Sequence, residues 1–282
     1  MKSNVFSRKY GKLSRSVVGF RNCHIFILAR KKSRRKSHLY ARENYDTINP
    51  MMSNWKEVWD KKDRVQKYIL ECMVKSDGFD STFRVENRLD YCETLYSKVG
   101  ICEGVSVFET GCGSGAFLYP LFLKGNTVGG LDYCEQLVNM AGSFMPGFHF
   151  LCADAEELDT DKKFDVVVSH SLFHYFQDYD KARTVLEKMI FKSNKVIGVF
   201  DVCDEEMKAE YHKERIENFV KEGFTEAQYW EKYQNLDHLF YSRSFFESVA
   251  NEFGLHLEFS PQTDPNYGNS RLRYNVTFRK SA

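Results

Sequence analysis

Val107-Phe108-Glu109-Thr110-Gly111-Cys112-Gly113-Ser114-Gly115 is the stretch on which the reading of the fold turns. A β-rich run ends there, and three alternate glycines lead into an apolar segment that reads as helix over Gly115–Leu123. Glycine has no Cβ, so the backbone at such a turn can lie close to a ligand in the crevice beyond the strand. The following helix would present free N–H groups to the same crevice. Gly111 through Ala116 also satisfies the dinucleotide pattern G-x-G-x-x-G/A, so the glycines alone admit more than one nucleotide-like ligand.

Outward from this turn, short β-rich runs alternate with helical ones, which is the pattern of βαβ units and a mostly parallel sheet. Strands are predicted at Val105–Glu109, Thr127–Leu131, Phe148–Cys152, Phe164–Ser169 and Lys195–Val202, with further helices at Glu135–Phe144 and Tyr179–Phe191. Two helices precede the first strand. One carries Trp55, Val58, Trp59, Val65, Tyr68, Ile69, Cys72 and Met73 at three-to-four-residue steps, with Asn54 or Ser53 as its cap; the other runs from about Ser81 to Lys98. After Val202 a charged stretch of about 40 residues reads as helix, then come strands at Leu255–Phe259 and Tyr274–Arg279 joined by a turn-rich segment. So short a connection implies an antiparallel pair at the end of the sheet. The expectation is an α/β, Rossmann-like fold with helices on both faces. An N-terminal helical extension occupies 51–103, and a helical, lid-like insertion occupies 204–247.

Acidic residues fall at three strand ends: Glu109 two positions before Gly111, Asp132 after the second strand, and Asp154 after the third. Asp132 suits a nucleoside ribose, whose hydroxyls its two oxygens can accept, or simply a helix N-cap. A cap or solvated turn is equally the plain role for Asp154. The fourth strand leads into Ser169-His170-Ser171-Leu172-Phe173-His174-Tyr175.

In this order the elements resemble the class I S-adenosylmethionine-dependent methyltransferases, whose first motif is E-x-G-x-G-x-G; Glu109, Gly111, Gly113 and Gly115 match it position by position. The resemblance covers about residues 54–202 well and the last two strands more loosely. It implies S-adenosyl-L-methionine as cofactor, with its amino acid portion on the glycine turn and Glu109 organising the ammonium. It further implies Asp132 at the ribose, Asp154 and the Ala155 backbone at the adenine, and Ser169 and His170 under the cofactor. A carboxylate suits an ammonium and is awkward beside a pyrophosphate, which disfavours the rival reading as an NAD-dependent oxidoreductase. A non-catalytic cofactor-binding subunit stays open. No D-P-P-Y or N-P-P-Y follows the fourth strand, so the amino-directed nucleic acid and glutamine methyltransferases are disfavoured, and a small-molecule acceptor methylated on O or N is expected. His170, His174 and His238 are the candidate acid–base residues, because an imidazole titrates near neutral pH. The aromatic residues of the insertion, among them Tyr211, Phe219, Tyr229, Tyr233 and Phe240, suggest a cover over the acceptor.

Charge divides the chain. Residues 1–50 hold 13 Lys or Arg against Glu43 and Asp46, leaving 27 basic and 37 acidic residues in 51–282, a net of −10. Such a body is a poor match for a phosphate backbone, so no nucleic-acid partner is expected. No apolar run approaches the roughly 20 residues that span a bilayer, so no membrane partner is expected either. The basic arm, with no acidic residue before Glu43, resembles an organellar presequence, a nuclear address, a basic nucleic-acid-binding arm or a disordered tail; an over-extended start before Met51 is a further reading, and the cytoplasm is the expected location. The eight cysteines are scattered without a C-x-x-C pair, which reads as reduced thiols and no metal site. The sequence leaves the oligomeric state and the identity of the acceptor open.

Overall fold

Seven strands build one sheet in the order β3-β2-β1-β4-β5-β7-β6. They are β1 (Val107–Thr110), β2 (Val128–Asp132), β3 (His149–Cys152), β4 (Phe164–His170), β5 (Ser193–Cys203), β6 (His256–Pro261) and β7 (Arg273–Arg279). The computed structural model describes residues 55–78, 85–233, 237–262 and 268–281. The basic arm, the caps Ser53 and Asn54, and most of the turn-rich segment before β7 therefore lie outside the described residues. Strands β1 to β5 pair in parallel, while β7 enters antiparallel between β5 and β6. The expected parallel sheet with an antiparallel end is what forms.

Helices α1 (Trp55–Ser76), α2 (Val85–Lys98), α3 (Tyr119–Leu123) and α4 (Glu135–Phe144) precede β3, and α5 (Tyr179–Lys192) links β4 to β5. The alternation of side chains along each strand divides the core in two. Val107, Val166 and Val168 pack with Met73, Leu95 and Phe117 on one face. Phe108, Val167 and Ile197 pack with Leu186, Met189 and Phe246 on the other. Strands β1 and β2 are buried at every position, as expected of central parallel strands covered on both sides.

Strand ends shift by one or two residues from the sequence reading, and two helical regions differ more. The helix after the glycine turn begins at Tyr119 rather than Gly115, because Gly115 has φ +83° and Pro120 is suited to a first helical turn. The charged stretch after β5 is three helices, α6 (Lys208–Lys221), α7 (Glu226–Tyr233) and α8 (Arg243–Phe253). Helix α8 packs through Phe246, Val249 and Ala250 into the sheet core, so it belongs to the α/β layers and not to the insertion. Among the described residues, no helix is long and apolar enough to cross a membrane.

The chain leaves β1 with β2 on one side and β4 on the other. Such a reversal opens a crevice beyond the carboxyl ends of the strands, where ligands of this fold class bind.

Candidate active site

A cavity of about 850 Å³ occupies that crevice, and its two walls differ in chemistry. One wall is the glycine turn. The N–H groups of Gly111 and Cys112 both donate to the Leu131 carbonyl at 2.9 Å, tying the turn to β2. Asp132 then ties it from the side chain: Oδ2 accepts the Gly113 N–H and Oδ1 accepts the Cys134 N–H, each at 2.9 Å. A carboxylate has about four acceptor positions, so Asp132 keeps capacity for further donors beside these two. The N-cap of α4 is Cys134, so the expected capping role of Asp132 is not what forms.

Asp77, one residue beyond α1, closes the other side of the turn. Its Oδ1 accepts the Ser114 N–H at 2.7 Å and its Oδ2 accepts the Ser114 hydroxyl at 3.0 Å. Gly113 has φ +51°, and a Cβ there would lie 2.6 Å from Asp77 Oδ1, so only glycine fits between the two carboxylates. Burial pushes the Asp77 carboxyl up to about 6, against the lowering effect of the Ser114 hydrogen bonds.

Glu109 lies beneath the turn, 3% exposed. Its Oε2 is buried without a hydrogen-bond partner. Burial holds its pKa well above the usual carboxylate range; neighbouring Asp77 adds to this and the Arg88 guanidinium opposes it. A buried acceptor with nothing to accept from is costly, and a cationic ligand would relieve it.

The opposite wall carries the histidines. His170 stacks on Phe117, and its Nε2 is 3.2 Å from the Tyr91 hydroxyl. His174 Nδ1 lies 3.2 Å from Arg273 Nη1, which donates at 2.9 Å to Asp201 Oδ2. Asp201, at φ +65°, also accepts the Ser171 hydroxyl at 2.7 Å. Non-glycine residues take this left-handed region at a cost that surrounding contacts must offset, and here the buried Asp201–Arg273 pair supplies them. His238 Nδ1 lies 2.7 Å from the Tyr211 hydroxyl, which in turn accepts from Arg215 Nη1 at 2.5 Å. Tyr211, Arg215 and Phe219 of α6, together with Tyr229 and Tyr233 of α7, line the same cavity.

All three imidazoles are neutral. Burial lowers His170 to about 3 and His238 to about 4, and it takes His174 well below the ordinary value, with nearby arginines adding to each shift. This corrects the expectation of a base poised near pH 7. A group of such low basicity removes a proton poorly, and each ring already has one nitrogen engaged.

Four of the expected cofactor residues are not among those lining the cavity, whereas Glu109, Gly111, Gly113 and Asp132 are. Ser169 alternates with His170 along β4, so its fully buried hydroxyl sits on the other face, within the protein. Gly115 is required by packing, since a Cβ there would collide with Met145 and meet Ala141 Cβ at 3.3 Å. Asp154 caps the short helix Ala155–Glu157, accepting from the Glu156 N–H at 3.0 Å and pairing with Lys181 at 3.1 Å. This is the plain capping role, and Ala155 sits within that turn. Asp77, Arg88, Tyr91 and Asp201 were not singled out from the sequence. Only Asp201 left a signal there, as the lone charge in the apolar run Val196–Val202. Among the described residues seven cysteines form no disulfide, and no group of His, Cys, Asp or Glu is arranged to hold a metal ion.

Residues 108–191, which contain the turn, Asp132 and the β4 loop, match the family described as a methyltransferase domain. That match spans about a third of the chain. Over 92 residues the chain is 35% identical to a malonyl-[acyl-carrier protein] O-methyltransferase of Calditerrivibrio nitroreducens, covering 32% of this chain and 35% of that protein. It is 24% identical over 159 residues to an uncharacterized methyltransferase of Bacillus cytotoxicus, covering 55% of this chain and 71% of that protein. The chain thus spans about a third of the first relative and over two thirds of the second. Among solved structures, the N-methyltransferase NodS of Bradyrhizobium japonicum with S-adenosyl-l-homocysteine superposes with a TM-score of 0.51 at 13% identity, over 76% of this chain and 99% of NodS. At that identity the likeness establishes the fold, which is that of the class I methyltransferases.

Proposed function

We propose that the chain is an S-adenosylmethionine-dependent methyltransferase acting on an oxygen or nitrogen of a small-molecule acceptor. The observation that carries this reading is Glu109: its unpartnered Oε2 lies below a glycine turn in a methyltransferase domain, where a ligand ammonium satisfies it and a pyrophosphate would be repelled. Gly111 and Gly113 line the cavity with backbone alone, and Asp132 offers acceptors for ribose hydroxyls. The cofactor supplies an electrophilic methyl group when bound. The residues of this chain hold acceptor and methyl in line and exclude water, which provides most of the rate. Tyr211, Phe219, Tyr229 and Tyr233 form the cover on the acceptor side. A cavity of about 850 Å³ and a net charge of −10 over 51–282 favour a small acceptor over a nucleic acid or a membrane surface.

Calorimetry of the full chain against S-adenosylmethionine, S-adenosylhomocysteine and NADH tests the proposal. Saturable binding of the first two is expected. Saturable binding of NADH alone would replace the methyltransferase reading with a redox one.

A further inference from the structure

Given that reading, we propose that the acceptor is a carboxylic acid, bound as its carboxylate by the Arg215 guanidinium and methylated on oxygen without a general base. The cofactor wall of the cavity is acidic, with Asp77, Glu109 and Asp132. On the acceptor wall the two arginines differ. Arg273 is neutralised by Asp201 in a pair that is 2% exposed on each side. Arg215 lies among the rings of Tyr211, Tyr229 and Tyr233, with its guanidinium carbon 5.3, 5.9 and 4.7 Å from their centroids. Among the described residues no carboxylate pairs with it, and its identified hydrogen-bond partners are the phenols of Tyr211 and Tyr233. Tyrosine faces orient a guanidinium without cancelling its charge. A half-buried, oriented arginine with no anion is a carboxylate receptor, since its fork matches two carboxylate oxygens.

The proton inventory of the cavity points the same way. Arg215 donates to the Tyr211 oxygen, so the Tyr211 O–H is left to donate to His238 Nδ1. Nδ1 is then an acceptor, and the neutral ring carries its proton on Nε2. Arginine donates only, so the contact from Arg273 likewise makes His174 Nδ1 an acceptor and puts the proton on Nε2. Tyr91 receives a hydrogen bond from Gln262 at 2.6 Å and turns its own O–H to His170 Nε2. Each imidazole has its lone pair engaged. Their low basicity agrees, and Tyr211 is held protonated by burial, which pushes it up to about 12. An ammonium acceptor would need a base to free its lone pair and would face the Arg215 charge. The three tyrosines would suit a cation as well, but Arg215 already stands among them.

A carboxylate needs no base, because it reaches the cavity ionised. Its oxygen lone pair forms the new C–O bond to the methyl carbon. The C–S bond breaks with its electron pair passing to sulfur, which turns from sulfonium to thioether. A methyl ester and S-adenosylhomocysteine result, and no proton moves. Two carboxylates line this side: Asp201, paired with Arg273, and Glu222, exposed at the cavity rim.

The test uses the full chain saturated with S-adenosylhomocysteine and titrated with straight-chain mono- and dicarboxylates and with the matching alkylamines. At least one acid should bind saturably and no amine should. Arg215→Gln should weaken that acid by about tenfold or more, the scale of a lost hydrogen bond to a charged group, with Arg215→Lys recovering part of it. Affinity for S-adenosylhomocysteine should be unchanged in both variants, which shows that they are folded. With methyl-tritiated S-adenosylmethionine and the bound acid, mild alkali should release the label as volatile methanol. Amines binding in place of acids, no acid binding at all, acid affinity indifferent to Arg215, or an alkali-stable product would each overturn the proposal. A chain that binds neither S-adenosylmethionine nor S-adenosylhomocysteine would instead sink the methyltransferase reading itself.

Discussion

Asp132 Oδ2 accepts the Gly113 N–H at 2.9 Å, so the carboxylate that ends β2 fixes the turn that ends β1. The same side chain accepts the Cys134 N–H at the entry to α4, so it couples that entry to the geometry of the turn. Asp132→Ala should weaken binding of S-adenosylhomocysteine by roughly 1.5–3 kcal/mol, the range for hydrogen bonds to a charged group. The melting temperature should fall as well, because the hydrogen bonds to the Gly113 and Cys134 N–H groups are lost at about 1 kcal/mol each. Calorimetry and thermal unfolding on the same preparation check both effects. Unchanged affinity in the folded variant would remove Asp132 from the ligand site.

Gly113 and Gly115 are the same residue type two positions apart, but their substitutions should separate. Gly113→Ala places a methyl group against Asp77 Oδ1 and obstructs the cavity, so ligand affinity should drop sharply. Gly115→Ala meets Met145 and Ala141 instead, away from the cavity. It should cost stability, with roughly 1–2 kcal/mol from the left-handed backbone alone, and leave the affinity of the surviving folded protein near wild type. Equal losses of affinity in both variants would return Gly115 to the binding surface.

The strands, the antiparallel end of the sheet and the glycine turn were legible because each is local. Short β-rich runs, glycine spacing and the short link before β7 are written in neighbouring residues. The walls of the site were less legible because they are assembled across the chain. Ser114 meets Asp77 from 37 residues away, Arg273 meets His174 from 99, and Gln262 meets Tyr91 from 171. No periodicity encodes such meetings. The histidines were found by residue type and position, whereas their basicity depends on the burial and arginines around them. Asp154 shows the converse: a carboxylate at a strand end also serves as the cap of its own short helix.

The acidic wall predicts a proton signature on binding. Asp77 is raised to about 6 and Glu109 well above its ordinary value, chiefly by burial, so the free site holds protons that the unfolded chain would have released. A ligand ammonium favours the ionised carboxylates and drives those protons off. Affinity for S-adenosylhomocysteine should therefore rise between about pH 5 and pH 7, and proton release should appear as a dependence of the calorimetric enthalpy on buffer ionisation heat. Asp77→Asn should reduce the released protons. Its own contribution to stability has the sign of a raised carboxyl pKa: the folded state loses ground as pH rises from the unfolded value of 3.8 through about 6. The Asp77→Asn variant should escape that loss. Proton uptake on binding would contradict the arrangement.

The neutral imidazoles predict the shape of the turnover profile. His170 at about 3, His238 at about 4 and His174 well below its ordinary value stay unprotonated in the folded protein down to mildly acid pH, while in the unfolded chain they titrate near 6.5. They therefore favour the folded state above about 6.5 and withdraw that support as pH falls towards their folded values. Over about pH 6.5–8 none of them changes charge, so turnover of a bound acid at saturating cofactor should be flat there. His174→Gln and His238→Gln keep a hydrogen-bonding side chain and should lower turnover by less than about tenfold, well short of the 10²–10⁴-fold that a positioned base supplies. A steady-state series on the three proteins decides the matter. A limb near neutral pH in wild type that vanishes with either histidine would restore that residue as the base, because only a group titrating there and touching the acceptor could produce it.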